Sequence, residues 1–119
     1  MNTQELRLDL SKQAAVRPIV AIRQGDRNGT KLDVEIYDNG TPLSLSNAAV
    51  ALCVLLPGEE DSYIVSGTAQ GSTASFTIDE TYAAAYTGRT DIAYVEVTIG
   101  ESVCSTQAFE LVIEKGARL

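Results

Sequence analysis

The chain has 119 residues, a formal net charge of −7 and a hydrophobic share of 45%. That is one domain's worth of sequence, residues 1–119, too apolar to stay disordered. It is acidic enough to repel nucleic-acid phosphates and anionic lipid surfaces, so neither is expected as a partner. No apolar run approaches the roughly 20 residues of a membrane-spanning helix. The opening MNTQELRLDL scatters charges where a secretion signal would need an apolar core.

Taken in chain order, the dominant pattern is apolar–polar alternation with a period of two. Leu6, Leu8 and Leu10 alternate with Arg7 and Asp9. After the turn signal Asp26-Arg27-Asn28-Gly29, Leu32, Val34 and Ile36 alternate with Asp33 and Glu35. Asp38, Asn39 and Gly40 then read as a tight turn, because Asn-Gly supplies the positive φ values a hairpin needs. Ala48 to Leu56 is apolar on both faces. It reads either as a central strand covered on both sides or as a candidate interface through Val50, Leu52, Val54 and Leu56. Residues 58–62 form an acidic loop. Gly71-Ser72 and Gly100-Glu101 read as hairpin turns, flanked by strands at Phe76–Ile78, Val95–Ile99 and Phe109–Ile113. Asp79 to Tyr86 reads as one short helical turn capped by Asp79. The expected fold is all-β: an immunoglobulin-like antiparallel β-sandwich with that one helical turn.

Chemistry is sparse. There is no histidine, which removes the commonest general base and metal ligand. No phosphate-binding glycine motif occurs. Catalytic, metal and cofactor sites are all expected to be absent. Glu59, Glu60 and Asp61 raise the question of calcium, but their spacing matches no ligand loop and a solvated turn explains them. The five tyrosines could make a binding surface, yet half-buried packing accounts for them better. Cys53 and Cys104 are read as free, buried thiols, with pairing left to Cα geometry. Arg23-Gln24-Gly25-Asp26 is the most distinctive run. A surface ion pair with a turn glycine is favoured there over a lock at a sheet corner.

The order of motifs resembles the N-terminal domain of phage baseplate upper proteins, components of the receptor-binding apparatus of siphophage tails. The resemblance is carried by LRLDLSKQ, by PIVAIRQGD with Arg23, Gln24, Gly25 and Asp26, and by LDVEIYDNGTPLSL with Asp38, Asn39 and Gly40. It continues in IAYVEVTIG and in STQAFELVIE, the latter a final strand opening at Ser105-Thr106-Gln107. The middle section departs from it, with the acidic loop standing where a Lys-Pro-Asp-Gly-like turn is usual. The resemblance implies a non-enzymatic sandwich domain of a phage or prophage virion, assembled in the bacterial host cytoplasm. Such a domain links the peripheral receptor-binding apparatus to the central tail hub through contacts with other tail and baseplate proteins. It also implies a homo-oligomer, with trimer contacts in later segments of the chain. A carbohydrate-binding or adhesion module of a bacterial surface protein is the alternative from a different class.

Overall fold

The computed structural model describes residues 2–11, 18–23, 30–55, 62–78 and 88–114. Eleven strands run through them in the order β1 (Asn2–Asp9), β2 (Ile19–Arg23), β3 (Thr30–Asp38), β4 (Thr41–Pro42), β5 (Ala48–Leu55), β6 (Ser62–Ser66), β7 (Thr68–Gln70), β8 (Thr73–Ile78), β9 (Gly88–Ile99), β10 (Ser102–Ser105) and β11 (Phe109–Glu114). They form two sheets. One has the order β1-β3-β8-β7, with β4 paired to β3; the other has β2-β11-β9-β5-β6, with β10 paired to β9.

The alternating residues set the two inner faces. Leu6, Leu8, Leu32, Val34, Ile36, Ala74, Phe76 and Ile78 of the five-stranded sheet are buried. They meet Val20, Ile22, Val50, Leu52, Val54, Val95, Val97, Phe109, Leu111 and Ile113 of the six-stranded sheet. Burying each large side chain contributes about 1.5–3 kcal/mol, which is why period-two patterning specifies so much of this fold. Two expected core positions lie at its margin: Leu10 is half-buried and Ile99 is 42% exposed.

The sandwich agrees with the sequence reading, but the sheets are mixed and not wholly antiparallel. β1 runs parallel to β3, from Asn2↔Thr30 to Asp9↔Tyr37. β11 runs parallel to β2, from Glu110↔Ile19 to Glu114↔Arg23. Alternation fixes which face of a strand is buried but not the direction of its neighbour. Parallel neighbours need a crossover, and here the chain leaves the first sheet to make β2 in the second before returning as β3. The helical turn expected over Asp79 to Tyr86 lies outside the described residues, which contain no helix.

The turns follow their residues. Tyr37↔Pro42 and Asp38↔Thr41 leave Asn39-Gly40 as a two-residue loop. Its φ values of 51° and 86° are both positive, the requirement of a type I′ turn. Gly71 and Gly100 each supply the first, positive-φ position of the β7–β8 and β9–β10 hairpins. Between β6 and β7 the chain changes sheets at a single residue, Gly67. A Cβ there would stand 2.5 Å from the Phe76 ring and from the Ser75 carbonyl oxygen.

The two ends of the described chain share one pole. The Gln4 side-chain amide donates to the Ala21 carbonyl at 2.7 Å, and Ala21 lies beside Val112 of β11. At the far end of β1, the Gln107 N–H donates to the Asp9 carbonyl at 2.8 Å. So β1 begins where β11 ends, and the Asn39–Gly40 turn lies with Gln107 at the opposite pole.

Candidate functional site

That opposite pole is tied together by Asp9. Its Oδ1 accepts from the N–H groups of Ser11 and Asn39, both at 2.8 Å, and Oδ2 accepts from Gly40 at 2.9 Å. The Ser11 bond holds the Asp9 carboxyl below its ordinary value; the Gly40 and Asn39 bonds add to this, against a partial desolvation. One side chain thereby caps its own strand end and fixes the β3–β4 hairpin. Of the expected turn residues, Asn39 and Gly40 form the loop and are held by Asp9, whereas Asp38 is the last residue of β3 and pairs with Thr41.

The same knot reaches the second sheet. The Asp9 N–H donates to Gln107 Oε1 at 3.2 Å, answering the Gln107-to-Asp9 backbone bond. Thr106 fills the break between β10 and β11. Its N–H donates to the Val95 carbonyl at 2.9 Å, and its Oγ1 accepts from the Val95 N–H at 3.1 Å and donates to the Gln107 carbonyl at 2.9 Å. Both side chains are buried. The final strand therefore opens at Phe109 and not at Ser105, which ends β10, while Thr106 and Gln107 lie in the link that precedes it. Asp-x-Ser at Asp9-Leu10-Ser11 is an Asx-turn signal that could have marked Asp9 from sequence. Its contact with Gln107, 98 positions away, had no local signal.

Beside the knot an apolar cleft of about 190 Å³ opens between the sheets, lined by Leu10, Leu43, Val97, Ile99 and Cys104 with Asp38 and Ser102 at its edge. A second, shallower hollow of about 300 Å³ lies on the outer face of the six-stranded sheet, among Cys53, Leu55, Ile64, Ile92, Tyr94 and Glu96. Each contains one carboxylate. Among the described residues no group of three or more Cys, Asp or Glu could hold a metal ion.

Other candidate residues fall elsewhere. Val50, Leu52 and Val54 are 5%, 0% and 1% exposed, so of the two readings of this segment the covered interior strand holds, and these three are core and not the candidate interface. β5 is an interior strand between β9 and β6, and its apolar excess covers both faces. Leu56 lies outside the described residues. Arg23 ends β2 beside Glu114; Gln24, Gly25 and Asp26 lie outside the described residues, as do Glu59, Glu60 and Asp61. Tyr37 is on the outer face of the five-stranded sheet, where its hydroxyl donates to Glu35 Oε2 at 2.8 Å, the bond that chiefly raises its pKa. Tyr94 is on the outer face of the other sheet, so these two rings share no platform.

Both cysteines are free; Cys53 is buried, but Cys104 is exposed, against the expectation of two buried thiols. Cys104 pairs with Val97 on β9, and Cys53 with Tyr94 on that strand's other side. Two strand spacings of ~4.8 Å separate them, beyond the ~7 Å Cα limit for a disulfide. Burial, with the Glu96 charge nearby, pushes the Cys53 thiol up.

Comparison with known proteins matches this geometry to a family. The solved N-terminal domain of phage TP901-1 ORF48 shares the fold, with a TM-score of 0.69 and 21% identity over 95% of this chain and 99% of that one. No curated protein matches by sequence. The sequence model of the BppU N-terminal domain covers residues 2–118, and the chain belongs to this family of baseplate upper protein N-terminal domains.

Proposed function

We propose that this domain is a structural adaptor of a phage tail, joining the peripheral receptor-binding apparatus to the central hub without catalysis. The single observation that carries the reading is membership of the baseplate family along nearly the whole chain, residues 2–118. Membership makes the chain a structural component of the virion tail baseplate. The adaptor role, contacts with other tail proteins, oligomerisation of the parent protein and assembly in the host cytoplasm belong to this proposal. No nucleic acid or membrane enters it.

The pole built around Asp9 supports the reading physically. An adaptor needs a rigid contact surface, and three backbone donors on one carboxylate fix the hairpin without moving parts. The cleft beside it offers Leu10, Leu43 and Ile99 as an apolar seat for a partner side chain. Co-purification with the hub protein of the same tail tests this. Ile99→Asp, at a cleft residue that is 42% exposed, should abolish capture while the circular dichroism spectrum and melting temperature are retained. Undiminished capture by that variant removes the cleft from the contact, and absence of capture by the unmodified domain removes the adaptor role.

A further inference from the structure

Strand β6, Ser62-Tyr63-Ile64-Val65-Ser66, is an edge of the six-stranded sheet and pairs only with β5 among the described strands. It carries no charge, no proline and no bulge, the devices by which exposed edges avoid pairing. The bond from the Gly67 N–H to the Val50 carbonyl at 3.0 Å sets its hydrogen-bonding phase. In the antiparallel β5–β6 register, hydrogen-bonded pairs alternate along the strand, so Val65↔Leu52 and Tyr63↔Val54 are also bonded. The backbone groups of Ser62, Ile64 and Ser66 therefore point away from the sheet.

We infer that this edge pairs with β6 of a second copy, antiparallel about a two-fold axis at Ile64. The inference is independent of the adaptor reading. The strand is self-complementary: Ser62 meets Ser66 of the second copy, Tyr63 meets Val65, and Ile64 meets itself. The outward groups of Ser62, Ile64 and Ser66 then form about six backbone bonds, because all three occupy hydrogen-bonded positions of the new pair. On the outer face, Tyr94, Cys53 and Ile64 lie in one cross-strand row. The pairing continues that row into its copy and covers Ile64, which is 65% exposed.

Charge does not oppose a second copy despite the net −7. No like charges face each other in the paired strands. Glu96 lies in the row Ser66–Ala51–Glu96, two strands in from the edge. The two copies of Glu96 thus stand roughly 20 Å apart or more, beyond the ~8 Å screening length of physiological salt. Area sets the strength: a five-residue edge buries on the order of 300 Å² per copy, below the roughly 800 Å² of a standard stable interface. The contact is therefore weak and concentration-dependent in solution, a population that covalent trapping and a concentration series both read.

Disulfide trapping in the full chain tests this, in a Cys53→Ala, Cys104→Ser background. Opposed residues of a hydrogen-bonded antiparallel pair have Cα atoms about 5.5 Å apart, within disulfide range. Ile64→Cys should form covalent dimers under mild oxidation faster by an order of magnitude than Thr68→Cys, an exposed control on β7. Ser62→Cys should cross-link to Ser66→Cys in a mixture and not to itself. Equal rates for Ile64→Cys and Thr68→Cys overturn the pairing. So does a concentration series in which the Ser62, Ile64 and Ser66 amide resonances stay fixed and shift only when another baseplate protein is added; the edge then takes a foreign strand.

Discussion

The outer face of the five-stranded sheet is laced with polar contacts. The Ser75 hydroxyl donates to Asp33 at 2.8 Å, Lys31 stands 3.7 Å from the same carboxylate, and Arg7 and Tyr37 both reach Glu35. The outer face of the six-stranded sheet carries the Arg89–Glu110 pair at 3.8 Å but exposes Ile64 and Ile92, at 65% and 47%, around Cys53 and Tyr94, with Ile19, 62% exposed, on the far edge strand β2. Both sheets contribute equally apolar inner faces, so fold stability does not account for the difference. A charged face is finished by its own side chains and by water. Around Cys53 and Tyr94 the exposed Ile64 and Ile92 leave a hollow whose lining is mainly apolar.

The strongest way to break this contrast is at the joint the two faces share. Gly67→Ala forces a Cβ against Phe76 and the Ser75 carbonyl, and should cost about 1–3 kcal/mol in urea unfolding. A neutral result would mean that the sheets can shift relative to one another, and that neither face is held rigidly.

Next in size is Asp9→Ala, expected to cost about 1 kcal/mol after allowance for solvent around a half-exposed carboxylate. Because the folded pKa lies below the unfolded value, this stabilisation is present above roughly pH 4 and fades as pH falls through the folded pKa. The wild-type and Asp9→Ala stability curves should therefore converge in acid. Parallel curves down to pH 2 would show that the carboxylate's charge is not what holds the turn.

A sharper comparison uses the thiols. Cys104 should react with a disulfide reagent at once near pH 8, while Cys53 lags because burial and Glu96 disfavour its thiolate. Two equally fast thiols would mean that the outer hollow around Cys53 is open to solvent. The smallest effect is expected on the charged face. Arg7→Ala breaks a 4.0 Å contact whose arginine is 75% exposed, and should change stability by less than about 0.5 kcal/mol. A larger loss would make that face a cooperative network and blunt the contrast.

The sequence made the inner faces legible because a buried face demands period-two patterning, and Leu32, Val34, Ile36, Phe109, Leu111 and Ile113 obey it. The hairpins at Asn39, Gly71 and Gly100 were legible because positive φ narrows the choice of residue. Parallel pairing was not, since no residue in β1 or β2 records the direction of a neighbour. β5 stayed ambiguous for a related reason. Residues apolar on both sides of a strand can signal a covered interior strand or a docking surface, and sequence does not say which side of the molecule they occupy. The Asp9–Gln107 tie depends on two residues that meet only after both sheets have formed.

The shared pole of the chain ends has a mechanical consequence. If the Asn39–Gly40 end is anchored and the load arrives through the start of β1 and the end of β11, both strands are pulled lengthwise. Their ladder bonds to β3, β2 and β9 then share the tension and must fail together. Drawing the two ends apart sideways would peel those same bonds one at a time. The domain is thus strong along these strands and weak across them.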